Sequence, residues 1–396
     1  MTGWHLASGY RYAGVHCGLR PDPDRRDLAL VVSDVPATAA GVFTQNRVCA
    51  APVHVCRERL PATDARGFVV CSGNANACTG QRGMDDARRM TAIAAEALGC
   101  RPEQVLVGST GVIGRHLPMP VIESGIRAAA GELAPSPAAL DAAARAILTT
   151  DTRIKVSTRE VNLDGSTVRI TGFAKGAAMI GPNMATLLAF VLADASVAVE
   201  DLARLGRRAA DRTFNCVSVE GHTSTNDTLL LFANGQRGKL RGGSLARFEE
   251  AVTSVCADLA REMASDAEGA SHLVIIDVEG LRDDGEARRV AKAVAESALV
   301  KTAIFGADPN WGRIVSAAGY SGVEFEEEQL SLWLDDMLLY EAGIPQPFHG
   351  PTAAAYLKSN REVHVRLRFT LGSGRCTLWT CDLTYDYVRL NAEYTT

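Results

Sequence analysis

Strand-like runs and alanine-rich helical runs alternate along this chain without a fixed period, and that irregularity restricts the fold more than any other feature. Near the N-terminus "LALVVSD" (28–34) and "AGVFTQN" (40–46) read as strands separated by a Pro-containing turn, and "GFVVCSGNANACTG" (67–80) runs from a strand into a small-residue loop. Helical patterns follow over 85–98, 118–130 and 137–148, the last opened by a proline in the favourable first-turn position. Between them "EQVLVGSTGVIG" (103–114) reads as a short strand that opens into a glycine-bounded loop. Further strands are expected at 166–174, 186–194, 214–219, 227–233 and 272–278, and helices at 199–213 and 243–265. A doubly wound sheet would need a repeating βαβ unit and a GxGxxG turn, and both are missing. The pattern predicts an α+β sandwich with sheets inside and helices outside.

Size and charge narrow the function classes. With 396 residues, 47% hydrophobic and 22% charged, the chain can bury two domain-sized cores or one large layered body. The net charge of -5, from 46 acidic and 41 basic residues, leaves no footprint for nucleic acid or an anionic membrane. The N-terminal stretch has no basic start followed by an apolar core, and no later run reaches the roughly 18–20 apolar residues that a bilayer demands, so a soluble, cytoplasmic protein is expected. Ten scattered cysteines include no CxxC pair, and eight scattered histidines include no HExxH. They predict small core residues or free thiols and no metal site. The acidic stretch "EFEEEQLSLWLDD" (324–336) reads as a solvated strand-and-turn region.

The stretch "AKGAAMIGPNMATLLAF" (174–190) carries the chemistry, and on the residues alone it has two readings. Thr186 can be an ordinary β-forming residue at the start of a buried strand. Alternatively, cleavage of the Ala185–Thr186 bond would make it N-terminal, where an α-amine with a reference pKa of about 7.7–8.0 can take the hydroxyl proton and activate the oxygen as a nucleophile. The preceding Gly181, Pro182 and Asn183 are residues that free, restrict or locally bond the backbone.

This stretch resembles the self-cleavage segment of the ornithine acetyltransferase family, bifunctional glutamate N-acetyltransferases included. The likeness extends to "VVCSGNANACTG" (69–80), "STGVIGR" (109–115), "TTDT" (149–152), "FNCVSVEGHTSTNDT" (214–228), "SDAEGA" (265–270), "LVKTAIFGADPNWGRI" (299–314) and "VRLNAEYTT" (388–396). The resemblance implies a layered αββα-type sandwich that cuts itself between Ala185 and Thr186. An α chain of residues 1–185 and a β chain of residues 186–396 would then share one core and assemble as an α2β2 heterotetramer. It implies that Thr186 takes the acetyl group of N-acetylornithine as an ester and passes it to glutamate, in a ping-pong acyl transfer of arginine biosynthesis that uses no cofactor; monofunctional members of the family do not use acetyl-CoA and bifunctional members do, so acetyl-CoA stays open as a second donor. Thr110 and Gly111 would form the oxyanion hole, and Thr149, Lys175, Thr186, Glu268, Asn391 and Thr396 would bind the amino acid substrates. Among these, Lys175 offers the cation that a substrate carboxylate needs, and Glu268 a carboxylate for an amine.

Three departures from the family pattern bear on this. The usual Lys-Gly-Ser-Gly-Met turn is here Lys175-Gly176-Ala177-Ala178-Met179, so a positive φ at Ala178 would be strained. The family's Asp-Gly-Asp is here Glu220-Gly221-His222, and the proline usual soon after Thr-Asp-Thr is missing. They bear on acceptor specificity and on the efficiency of self-cleavage, and leave open a paralogue acting on another N-acyl amino acid; a related N-terminal-nucleophile amidohydrolase or aminopeptidase, and a structural or amino-acid-binding protein that keeps the fold without cleavage, are the other readings.

Overall fold

Two sheets carry the apolar strands in the computed structural model, which describes residues 3–163, 165–181, 187–238, 240 and 243–393. The first contains β1 (Tyr10–Val15), β2 (Leu28–Phe43), β3 (Ala62–Asn74), β4 (Val105–Val112), β5 (Lys155–Leu163), β6 (Ser166–Lys175), β7 (Leu188–Ala193) and β8 (Thr228–Ala233). Its order is β4-β3-β2-β8-β7-β6-β5, with β1 paired to β2. The β3–β4 and β7–β8 pairs are parallel, the others antiparallel. The second sheet contains β9 (Leu273–Leu281), β10 (Leu330–Leu334), β11 (Met337–Glu341), β12 (Ile344–Pro345), β13 (Glu362–Phe369) and β14 (Gly374–Cys381), in the order β12-β11-β10-β13-β9-β14.

Helices cover both faces of the first sheet. On one face lie α1 (Ala51–Arg59), α2 (Gly80–Leu98), α3 (Met119–Gly131) and α4 (Pro137–Ala146); on the other lie α5 (Val199–Arg212) and α6 (Gly243–Ser265). Helix α6 packs on β5 and β6 and also reaches β14, which joins the two sheets through one shared core. A third core unites the second sheet with α7 (Asp284–Glu296), α8 (Ala298–Phe305), α9 (Trp311–Gly319) and α10 (Gly350–Ser359). The layered α+β class read from the sequence is the class observed.

Strand β7 shows why its sequence has no polar alternation. Leu188, Phe190 and Leu192 enter the core under α1–α4, while Ala189, Val191 and Ala193 enter the core under α5 and α6. A strand covered on both faces reads as a continuous apolar run. Across the first face, the Phe68 and Phe190 rings stack 4.3 Å apart, with Phe173 5.0 Å from Phe190 and Phe232 5.6 Å from Phe68. That cluster draws on strands from both sides of residue 186.

Three expectations change. Residues 28–46 hold one strand rather than two: pairing between β2 and β3 breaks between Val32 and Ala37, and Pro36 falls in this interruption, where its missing N–H disturbs no ladder. The strand expected at 214–219 is a 3-10 turn at Phe214–Cys216 followed by a single bridge from Val217 to Trp379; burial of Phe214 and Val217 in the α5–α6 core accounts for their apolar character. Within 324–336 the chain enters the second sheet as β10, with Leu330, Leu332 and Leu334 buried between half-exposed neighbours.

Candidate functional site

The C-terminal ends of β4 and β6 open, with the loop before β8, onto a cavity of about 240 Å³. At its β4 wall stand Thr110 and Gly111. The β3–β4 register slips at Gly73, and Gly111 has φ +131°; a Cβ there would lie 2.4 Å from the Gly73 carbonyl carbon. Only glycine allows this approach. The Ser109 hydroxyl donates to the Ala75 carbonyl at 2.6 Å, and the Asn226 amide donates to the carbonyls of Ala75 and Ser109, both at 2.7 Å. These bonds hold the strand end, so that Thr110 and Gly111 present polar groups from a fixed backbone.

Lys175, the last residue of β6, is 2% exposed and stands in register with Leu188 of β7. Its Nζ lies 3.9 Å from Asp151 Oδ2. Asp151 Oδ1 accepts from Lys155 Nζ and from the Gly176 N–H, both at 2.7 Å, and Oδ2 accepts from the Thr149 N–H at 3.1 Å. Lys155 Nζ donates in turn to Asp266 Oδ2 at 2.6 Å, and Asp266 also accepts from Thr152. Burial pushes the Asp151 carboxyl up, but Lys175 and Lys155 outweigh it and hold the group well below the ordinary range. Burial pushes the Lys175 ammonium down, with Asp151 opposing. The network thus fixes a cation in a dry wall and sets Thr149 beside it.

The same network carries the "SDAEGA" turn. The Glu268 N–H donates to the Ala177 carbonyl at 2.9 Å, and Glu268 Oε2 accepts from Asn391 Nδ2 at 3.3 Å. Asn391 lies on α11 (Tyr385–Glu393), whose Tyr387 also lines the cavity.

The turn after Lys175 is clamped at Ile180. Its carbonyl accepts the N–H groups of Val219 at 2.8 Å, Glu220 at 3.2 Å and Gly221 at 3.1 Å, while its own N–H donates to Glu220 Oε1 at 2.7 Å. A Cβ on Gly181 would come 2.4 Å from the Gly221 carbonyl carbon, so the two segments touch backbone to backbone. The left-handed residue of this turn is Met179, with φ +59°, rather than Ala178. For an L-residue that conformation costs about 1–2 kcal/mol, so the strain sits one position later than the sequence suggested. Burial pushes the Glu220 carboxyl up to about 7, against the Ile180 N–H and Lys301 and with Glu268 adding to the rise.

Ala185, Thr186 and Thr396 lie outside the described residues. The Leu187 N–H donates to Asp227 Oδ1 at 3.0 Å, and Leu188 pairs with Thr228. Asp227 is fully buried, and burial pushes its carboxyl well above the usual carboxylate range, with the Leu187 N–H opposing. Thr110, Gly111, Thr149, Lys175, Glu268 and Asn391 therefore converge on one cavity. The sequence reading missed the supporting charges Asp151, Lys155 and Asp266, and also Asn226 and Tyr387. The signal for Asp151 and Asp227 was present, since each is a carboxylate bordering an apolar run, at "ILTTD" and "NDTLLLF". Among the described residues, no cluster of His, Cys, Asp or Glu could hold a metal ion, and no helix is long and apolar enough to cross a membrane.

Residues 11–396 match the ArgJ family. The chain is 48% identical to the arginine biosynthesis bifunctional protein ArgJ of Symbiobacterium thermophilum, over 94% of this chain and 93% of that protein. It is 44% identical to the protein of the same name from Thermosynechococcus vestitus, over 98% and 97%. A crystal structure of arginine biosynthesis bifunctional protein ArgJ from Bacillus halodurans is similar with a TM-score of 0.50 and 40% identity, and 52% of this chain covers 98% of that one.

Proposed function

Because the chain belongs to the ArgJ family, we propose that it is a glutamate N-acetyltransferase that takes its acetyl group from N-acetyl-L-ornithine, within arginine biosynthesis. The observation that carries this reading is the single cavity that gathers Thr110 and Gly111 on one wall and Lys175, Thr149, Glu268 and Asn391 on the others. Its volume suits a small amino acid derivative better than the roughly 300–1,000 Å³ pockets of larger ligands.

In this mechanism the chain cuts itself between Ala185 and Thr186. The freed α-amine accepts the Thr186 hydroxyl proton as the oxygen attacks the acetyl carbonyl, and the Thr110 hydroxyl and Gly111 N–H stabilise the oxyanion. The amine proton passes to the departing nitrogen of ornithine, leaving an acetyl-threonyl ester. Glutamate's amine then attacks that ester, releasing N-acetylglutamate and restoring Thr186. Lys175 faces the substrate carboxylate, while Glu268, Asn391 and Thr396 close around the amino acid.

Three observations support cleavage into residues 1–185 and 186–396. The residue after Thr186 is anchored to Asp227, the segment before the bond is clamped at Ile180, and the solved relative's polypeptide is about half as long as this chain. The two pieces stay together through the phenylalanine cluster and assemble as a cytoplasmic α2β2 heterotetramer.

The test separates the half-reactions in a Lys175→Ala variant, by ornithine release and by acetyl transfer from preformed acetyl-enzyme. Donor and acceptor occupy one site in turn, so both are expected to weaken. Unchanged glutamate turnover with only ornithine release damaged would contradict the single-site scheme.

A further inference from the structure

A second cavity, of about 600 Å³, shares no lining residue with the first and lies where the turn after α5 meets β14. Two thiols stand in its wall: Cys216, the last residue of the 3-10 turn Phe214–Cys216, and Cys376 of β14. Their sulfurs are 3.8 Å apart, the one hydrogen-bond contact between two thiols among the described residues. No step of the acyl transfer involves either of them.

The backbone holds this pair together. Just beyond it, Val217 bridges Trp379 in parallel and the Ser218 N–H donates to the Trp379 carbonyl at 3.0 Å, so turn and strand keep a fixed register. Disulfide sulfurs lie about 2.05 Å apart, so the two have to close by less than about 2 Å to be joined. Their surroundings set them apart chemically. Cys216 is 3% exposed yet borders the cavity, whereas Cys376 is half-buried. The contact with Cys376 holds the Cys216 thiol below its ordinary value, and the Arg288 guanidinium in the cavity wall adds to this, against burial and Asp211. The same contact, with burial, pushes the Cys376 thiol up. Cys216 is therefore the attacking member of the pair, since the thiolate is the reactive form.

We propose that Cys216 and Cys376 form an oxidant-responsive site, which a peroxide converts to a disulfide that clips the turn after α5 to β14. The Cys216 thiolate attacks one oxygen of the peroxide; the S–O bond forms, the O–O bond breaks, and the departing hydroxide takes a proton from solvent to become water. Cys216 is left as a sulfenic acid. The Cys376 sulfur then attacks the Cys216 sulfur, the S–S bond forms, and the S–O bond breaks as the hydroxyl leaves with the Cys376 proton as a second water. The two sulfurs give up two electrons and hydrogen peroxide receives them. An added dithiol reverses the change by exchange. Helix α5 packs on the first sheet and β14 belongs to the second, so the bond ties the two layers together. Both cysteines follow residue 186, so the link stays within one polypeptide with or without the proposed cleavage, and the site does not depend on the acyl-transfer reading.

The test is a thiol map of the purified protein. It is exposed to a small excess of hydrogen peroxide, the remaining thiols are alkylated in denaturant, and the tryptic peptides are weighed. The peptides that carry Cys216 and Cys376 are expected to be joined, two hydrogens lighter than their sum, before the exposed Cys78 is oxidised. Cys381 shares the Cys376 peptide, so fragmentation assigns the linked sulfur. The oxidised protein is expected to melt about 5 °C higher than the reduced one, and dithiothreitol to reverse the gain. In Cys376→Ala, peroxide should leave a sulfenic acid on Cys216 that dimedone traps, with no link and no rise in melting temperature. In Cys216→Ala, Cys376 should stay reduced at the same dose. Both thiols still open to alkylation once Cys78 is oxidised, or a link from Cys216 to Cys381 instead, would overturn the site. A correct link that leaves the melting temperature unchanged would overturn the clip. Should either variant fail to fold, the unaltered protein's own map and melts still decide.

Discussion

At the scale of single residues, the site combines two carboxyls that respond to pH with opposite sign. Asp151 is held below its ordinary value by Lys175 and Lys155, so its contribution to stability is full above pH 3.8 and lost as pH falls through the depressed value. Asp151→Asn leaves two buried ammonium groups short of a partner and is expected to cost about 3–5 kcal/mol near neutral pH, shrinking in strong acid. Thermal melts across that range would check this, and a loss independent of pH would contradict it. Glu220 is raised from 4.5 to about 7, so its contribution is full below 4.5 and lost as pH rises through 7. The loss is of order 3 kcal/mol. Glu220→Gln should therefore gain stability relative to the parent between about pH 5 and pH 8; a constant difference would contradict the burial argument. In the proposed mechanism Thr110→Ala removes one oxyanion donor and should lower kcat about a hundred- to a thousandfold, with KM nearly unchanged. Single-turnover acylation reads this directly.

At the scale of elements, Gly111→Ala tests whether the β3–β4 slip sets the proposed oxyanion wall. The added methyl would meet the Gly73 backbone at 2.4 Å, so the end of β4 must move and acylation should fall further than in Thr110→Ala, while the strands below it still pair. Equal kcat values in the two variants would show that the backbone geometry is not limiting. Elements that announce themselves by period were legible in the sequence. Helix α6 was read at its observed span, and β6, β7 and β8 within two residues, because their burial follows from their own residues. The turn at Phe214–Cys216 was not, because β-forming residues there are buried by α5 and α6 rather than by strand partners. Of the residues that line the cavity, Thr110, Gly111, Lys175, Thr149, Glu268 and Asn391 were named through resemblance. The Lys155–Asp266 pair was not, since it joins residues 111 apart in sequence and leaves no local pattern, whereas Asp151 borders an apolar run and so leaves a local signal.

At the scale of the whole molecule, the first sheet is built from strands on both sides of residue 186, with Phe68 and Phe173 before it and Phe190 and Phe232 after it. Phe190→Ala should destabilise the parts before and after residue 186 together, by about 3–5 kcal/mol, and should do so in one cooperative melting transition. Two separate transitions would contradict a shared core. The central claim is that Thr186 becomes an N-terminal nucleophile and carries the acetyl group. Intact mass measurement of the purified protein, before and after exposure to N-acetylornithine, tests it most directly. The account predicts two polypeptides, one beginning at Thr186 and one acetyl group heavier after exposure, with glutamate removing the added mass and Thr186→Ala leaving a single uncleaved chain. A full-length chain in the unaltered protein, or an acetyl group placed elsewhere than Thr186, would contradict it.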